Sequence, residues 1–121
     1  MKPTVEARLK RRFILMTEDR SLIDDLQKKV PEGWEMVVAA DLESLGDWHA
    51  ILLHRFLILD LQGMACDPLE VVETLRRDYL LNIPIFCLGE QDRALKAMGA
   101  DRFFPRAGFS ARLADLCRPF G

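Results

Sequence analysis

Three acidic residues stand where this sequence could carry chemistry. Asp60 follows the continuous apolar run 56–59, and Glu18 and Asp19 follow a second apolar run, 13–17. Runs of this length and composition are typical of strands buried on both faces at the centre of a parallel sheet. Open α/β sheets place their ligand crevice at the carboxyl ends of such strands. A carboxylate buried there either does chemistry or must be paired, because burying it alone is costly.

The elements that must position these acids alternate along the chain. Strands are predicted at 13–17, 34–39, 55–61, 84–88 and 102–105. Helices are predicted from Asp19 or Ser21 to Val30, from Asp41 to His54 with Gly46 as a weak point, from Pro68 to about Leu81 with Asn82 ending it, from Arg93 to Met98, and from a Ser110 cap onwards. Five β-α units in this order predict a doubly wound α/β fold, a five-stranded parallel sheet with helices on both faces. The first, third and fourth strands should be fully buried, and Pro105 predicts that the fifth is an edge.

Size and composition favour one soluble domain. The 121 residues are 50% hydrophobic and carry a formal net charge of −2, which argues against a nucleic-acid or membrane-surface role. Residues 1–12 form a basic lead-in, read either as an interaction arm or as a solvated approach to the first strand, and 13–121 form the domain. The three cysteines show no C-x-x-C pair. With no signal peptide and no membrane-spanning run, we expect free thiols and a cytoplasmic location.

The stretch 60–70, Asp-Leu-Gln-Gly-Met-Ala-Cys-Asp-Pro-Leu-Glu, resembles the phosphoacceptor segment of bacterial response-regulator receiver domains. The family pattern is D-L-x-M-P-x-M-D-G-L-E. The positions that agree are Asp60, Leu61, Asp67, Leu69 and Glu70; those that differ are Gly63, Met64, Cys66 and Pro68. Glu18 and Asp19 stand where the family keeps an acid pair. The run 99–101 matches its G-A-D before the fifth strand, and Phe103 falls at its aromatic switch position.

The resemblance implies a flavodoxin-like strand order 2-1-3-4-5 and a phosphoacceptor role for Asp60. It also implies that Glu18, Asp19 and Asp60 could hold Mg²⁺. Two switch positions depart from the pattern, because the hydroxyl position reads Gly89 and the lysine position reads Arg106. The sequence therefore resembles a degenerate receiver, or pseudo-receiver.

Two roles for the acidic crevice remain open on the sequence alone. Asp60 is either a working phosphoacceptor or a buried structural acid paired with Arg106, whose planar fork suits a carboxylate. Glu18 and Asp19 are either metal ligands or acids favoured at a helix start. Because converging carboxylates repel each other and need a cation, we expect Arg106 within salt-bridge reach of Asp60 or of the acid pair. Asp60→Asn is then expected to be tolerated, since it removes one charge from a crowded site.

The functional expectation is a non-enzymatic module of two-component signal transduction that acts through protein–protein interaction. Its partner would be a histidine kinase, an output domain or another signalling protein, with phosphorylation impaired or absent. The alternative is a functional receiver phosphorylated on Asp60 with Mg²⁺. A homodimer is also expected, through residues 93–98 and 103–113, because we expect Phe104 and Phe109 to leave apolar surface uncovered. A nucleotide-binding enzyme is disfavoured, since no glycine-rich loop follows the first strand.

Overall fold

The computed structural model describes residues 11–120, which form an alternating series of strands and helices. The strands are β1 (Arg11–Met16), β2 (Trp34–Ala39), β3 (Leu57–Asp60), β4 (Ile85–Leu88) and β5 (Arg102–Phe104). The α-helices are α1 (Arg20–Gln27), α2 (Trp48–Ile51), α3 (Pro68–Glu73), α4 (Arg93–Met98) and α5 (Leu113–Cys117). Short 3₁₀ turns cover Glu43–Leu45, Phe109–Arg112 and Arg118–Phe120, and a π-helical turn, Thr74–Asp78, continues α3.

The five strands form one parallel sheet in the order β2-β1-β3-β4-β5, which confirms the predicted fold class and strand order. β3 and β4 are buried along their whole length and β1 is buried from Phe13 onwards, as their continuous apolar sequences predicted. β5 is an edge, also as predicted. In the β1–β3 ladder Met16 lies opposite Leu59, so the next residues of the two chain segments, Thr17 after β1 and Asp60 at the end of β3, come side by side.

The core has two layers, one on each face of the sheet. On one face, aliphatic strand residues pack against Ile51 of α2, Val72 of α3 and Leu95 of α4. On the other face, α1 and α5 cover an aromatic cluster in which the rings of Phe13 and Phe56 stack with their centroids 5.0 Å apart. The layers hold the strand ends, and the acids that follow them, in fixed positions. None of the helices in residues 11–120 is long and apolar enough to cross a membrane.

The helix predicted at 41–54 is wrong in extent. Gly46 has φ = 94°, a left-handed conformation that interrupts the helical path after a single 3₁₀ turn. The Asp47 carboxylate then accepts a hydrogen bond from the Ala50 N–H and caps a helix of only four residues. Trp48 and Leu52, two large apolar residues of the predicted helix, are 44% and 41% exposed.

Three other boundaries also differ from the sequence prediction. Helical geometry after α3 ends at Asp78, and Leu80 adopts φ = 54°, so Asn82 is not the stop. Ser110 does not cap a helix, because it lies inside the 3₁₀ turn that precedes α5. β1 begins two residues early, at Arg11, which places part of the basic lead-in within the sheet; residues 1–10 lie outside the described residues.

Arg76 connects α3 to the chain on either side of α4. Its Nε and Nη2 donate to the Gly99 carbonyl oxygen at 3.1 and 2.9 Å, and its Nη1 donates to the Leu81 carbonyl oxygen at 2.7 Å. Nη2 also pairs with Asp101 Oδ2 at 3.0 Å, and that same oxygen accepts the Ile85 N–H at 2.7 Å. One guanidinium thus fixes the start of β5 against the start of β4.

We expect Gly99→Ala to be markedly more destabilising than Gly108→Ala. Both glycines have positive φ, 132° and 75°, so both substitutions carry a backbone cost of about 1 kcal/mol or more. At Gly99 a Cβ would also lie 2.7 Å from Arg76 Cγ, whereas at Gly108 it would meet nothing within 4 Å. The clash should raise the loss at Gly99 to about 2–3 kcal/mol. Urea unfolding of the two variants measures the difference, and equal losses would contradict a tightly held Arg76.

Candidate functional site

Asp60 ends β3 at the carboxyl edge of the sheet and is fully buried, with 0% of its surface exposed. Its Oδ2 accepts a hydrogen bond from the Thr17 hydroxyl at 2.8 Å. Thr17 is itself buried and stands at the end of the neighbouring strand, where the β1–β3 register places it. The carboxylate is therefore removed from water, and its charge must be compensated by protein groups.

Arg106, two residues beyond β5, supplies that compensation. Its Nε donates to Asp60 Oδ1 at 2.9 Å and its Nη2 donates to Asp60 Oδ2 at 3.2 Å, a two-pronged pairing of guanidinium and carboxylate. The same Nη2 donates to Asp19 Oδ2. These contacts confirm that Arg106 lies within salt-bridge reach of Asp60 and of one member of the acid pair. The two carboxylates raise the pKa of Arg106, and the largest cause is the hydrogen bonding of its guanidinium to Asp60.

Asp19 has two tasks at once. Its Oδ1 caps α1 by accepting the backbone N–H groups of Ser21 and Leu22 at 2.9 and 3.4 Å, while its Oδ2 receives Arg106. The hydrogen bond from Arg106, followed by the one from the Leu22 N–H, lowers the pKa of Asp19 below its ordinary 3.8. Asp19 is thus a helix-start acid, one of the two roles that the sequence left open, and it also pairs with Arg106 in the crevice.

Glu18 does not join this cluster. Its side chain is exposed and forms no hydrogen bond or ion pair with the described residues, while its backbone N–H donates to the Gly63 carbonyl oxygen at 2.9 Å. The residue in direct contact with Asp60 at the end of β1 is Thr17, and not a member of the acid pair. Thr17 was missed because its position beside Asp60 depends on the β1–β3 register, which pairs Met16 with Leu59 and which the sequence does not show.

Gly63 closes over the Thr17–Asp60 pair. A Cβ on this residue would lie 2.3 Å from both Asp60 Oδ2 and Thr17 Oγ1, closer than any side chain can approach. The loop after β3 can therefore pass above the carboxylate only because this position carries no side chain. The departure of Gly63 from the family pattern is explained by this close approach.

The two remaining switch positions border a cleft of about 660 Å³ beside Arg106. Gly89 presents no hydroxyl; its N–H donates to the Phe104 carbonyl oxygen at 2.8 Å, and its backbone packs near Leu61. Phe103 is half-buried and packs against the aliphatic core layer, which agrees with a packing role. Neither residue places a polar side-chain group near Asp60.

The residues present do not fit a divalent ion at Asp60. Both of its oxygens, and both oxygens of Asp19, already accept hydrogen bonds from protein groups, and the guanidinium lies between the two carboxylates. Within residues 11–120, no group of three or more His, Cys, Asp or Glu side chains is arranged to hold a metal. Magnesium needs carboxylate oxygens free to coordinate it, so Arg106 would first have to withdraw.

The fold of this chain is similar to that of several solved structures. A signal receiver domain from Bermanella marisrubri superposes with a TM-score of 0.73 at 18% identity, covering 89% of this chain and 95% of that one. The chemotaxis response regulator CheY4 of Vibrio cholerae gives 0.70 at 16% identity, with 90% and 97% covered. The fold is that of response-regulator receiver domains. No family model matches the sequence, and neither does any curated protein.

One of the similar solved structures contains a bound metal ion. The Mn²⁺-bound form of the response regulator Rcp1 superposes with a TM-score of 0.63 at 14% identity, covering 91% of each chain. That protein is a response regulator with Mn²⁺ bound. In the present chain the Arg106 guanidinium joins Asp19 and Asp60.

The proposed aromatic anchors of a homodimer are buried. Phe104 and Phe109 are only 6% and 1% exposed, because both rings pack beneath α5 with their centroids 5.6 Å apart. The prediction that they leave apolar surface uncovered is wrong. It failed because the sequence does not show that the 3₁₀ turn before α5 folds Phe109 inward. The homodimer stays a prediction without these anchors.

Arg106→Met should destabilise the protein more than Asp60→Asn. Removing Arg106 leaves a fully buried carboxylate with only Thr17 as partner, a defect that costs about 3 kcal/mol or more. Removing the charge of Asp60 leaves an arginine that is 29% exposed and still paired with Asp19, so we expect a loss of about 1–2 kcal/mol. The pairing removes the basis for the earlier expectation that Asp60→Asn is harmless.

Chemical unfolding of both variants at neutral pH without divalent ions measures this order. Arg118→Met is the matched control, because that arginine pairs with Asp115 on the exposed surface and should cost less than about 1 kcal/mol. A more stable Asp60→Asn variant would mean that the pair with Arg106 does not compensate Asp60.

Acid should weaken the protein partly through Asp19. Since its pKa is lowered on folding, Asp19 contributes stability that is present above its ordinary pKa of 3.8 and is lost as the pH falls through the lower, folded value. Asp19→Asn keeps the helix cap but cannot titrate, so its unfolding free energy should fall less steeply below about pH 4. Urea unfolding across this range tests the point, and parallel curves for the two proteins would contradict it.

Proposed function

We propose that this chain is a non-enzymatic signalling module with the receiver fold, which works by binding a protein partner and not by phosphorylation of Asp60. The observation that carries the proposal is the state of Asp60. A phosphoacceptor must present a free carboxylate oxygen to the incoming phosphoryl group. Here the residue is fully buried, and its two oxygens are engaged by Arg106 and Thr17.

The neighbouring positions support the same conclusion. A phosphoryl group that is being transferred needs a nearby cation to stabilise its charge. A phosphorylation switch also needs a side chain that contacts the bound phosphoryl group. Arg106, the cation nearest to Asp60, already binds Asp60 and Asp19, and Gly89 offers no hydroxyl beside the cleft. Phosphorylation would therefore require the ion pair to open, an ion to bind and a phosphoryl group to be held without a side-chain hydroxyl from Gly89.

The partner class follows from the fold and the surface charge. Receiver folds act in two-component signalling, so a histidine kinase, an output domain or another signalling protein is the proposed partner. A net charge of −2 gives no reason to propose nucleic acid or a membrane surface. In this role the domain presents one fixed surface, and regulation comes from the supply of the partner and not from modification of Asp60.

Incubation with acetyl phosphate and Mg²⁺, followed by intact-mass spectrometry, tests the proposal. We expect no phosphoryl adduct, and no saturable binding of beryllofluoride by ¹⁹F NMR, because Asp60 is not available to either reagent. CheY4 of Vibrio cholerae serves as the comparison protein under the same conditions. An adduct or saturable binding that Asp60→Asn abolishes would overturn the proposal and establish the alternative, a working phosphoacceptor.

A further inference from the structure

A single nitrogen atom lies at the meeting point of the two carboxylates in the crevice. Arg106 Nη2 donates both to Asp19 Oδ2 and to Asp60 Oδ2, the latter at 3.2 Å. These oxygens come from separate parts of the chain, the start of α1 and the end of β3, and they converge on the same positive group. Two carboxylate oxygens directed at one point form an arrangement that attracts a cation.

We propose that the Arg106 guanidinium is a built-in, permanent counter-cation that excludes divalent ions from this crevice, and that its removal turns Asp19 and Asp60 into a divalent-cation site. The native chain would then hold its acidic crevice together without any metal. The inference concerns the charge balance of the crevice and stands apart from the proposed function, since a partner-binding module could equally well contain a metal.

The covalent attachment of Arg106 gives it an advantage over a free ion. The chain just after β5 brings its guanidinium to the crevice, where three hydrogen bonds hold it to the two acids. Because the guanidinium is already part of the chain, its binding does not cost the translational entropy that a free ion would lose. Arginine also stays charged at every accessible pH. A free ion would have to break these hydrogen bonds and shed part of its water shell, which Mg²⁺ does reluctantly.

When the guanidinium is removed, the crevice should favour a bound divalent ion. The fully buried Asp60 would face Asp19 with no positive charge between them, and like charges in a water-poor crevice repel strongly. Magnesium and manganese bind proteins through one or two carboxylates while keeping several waters, so a third protein ligand is not required. The exposed Glu18, next to Asp19, lies outside the cluster and is free to contribute.

Thermal unfolding of native protein and of Arg106→Met, each in EDTA and in MgCl₂, is the experiment. The native midpoint should be the same in both solutions. The Arg106→Met midpoint should be low in EDTA and should rise by about 5 °C when Mg²⁺ is present at roughly ten times its dissociation constant. Mn²⁺ binding followed by electron paramagnetic resonance should likewise be absent in the native protein and saturable in the variant.

Two controls locate the effect in the crevice. Arg106→Met/Asp60→Asn should lose the response to Mg²⁺ and regain stability in EDTA, because the unpaired buried charge is gone. Arg118→Met, which frees an exposed carboxylate at Asp115, should show no response. Saturable Mn²⁺ binding by the native protein would overturn the proposal. So would an Arg106→Met variant that is no more stable, or no better folded, in Mg²⁺ than in EDTA. Neither result depends on whether acetyl phosphate modifies Asp60.

Discussion

The charge on Asp60 is the constraint on which the rest of the crevice depends. A carboxylate with no exposed surface is tolerated only when its neighbours supply hydrogen bonds and a positive charge. Thr17, just after β1, provides a hydrogen bond, and Arg106, just beyond β5, provides the positive charge. The site therefore joins three strand ends and the start of α1 through the two ion pairs of Arg106 and the hydrogen bond of Thr17, and it can be understood as a structural junction.

The edge strand β5 is fixed by guanidinium groups at both ends. Arg76 binds the carbonyl of Gly99 and the carboxylate of Asp101 just before the strand, and Arg106 binds Asp60 just after it. Edge strands with few ladder hydrogen bonds are among the less stable parts of a sheet. Arg76 and Arg106 together hold β5 in one position.

Much of the architecture could be predicted because it depends on local patterns. The apolar runs before Asp60 and through Cys87 predicted the buried central strands, and Pro105 predicted the edge. The ion pair could be predicted as well, since converging acids require a cation. The role of Thr17 and the inward turn of Phe109 could not, because both depend on register and tertiary packing that no residue spacing encodes.

An experimental structure determined in the presence of Mg²⁺ tests the central claim most directly. The account predicts that Arg106 Nε remains within hydrogen-bond distance of Asp60 Oδ1, near the present 2.9 Å, with Nη2 still between Asp60 and Asp19. The contrary result is an Arg106 side chain turned to solvent and a metal ion coordinated by Asp19 and Asp60. That arrangement would show that the guanidinium is a replaceable occupant of the crevice and not its permanent cation.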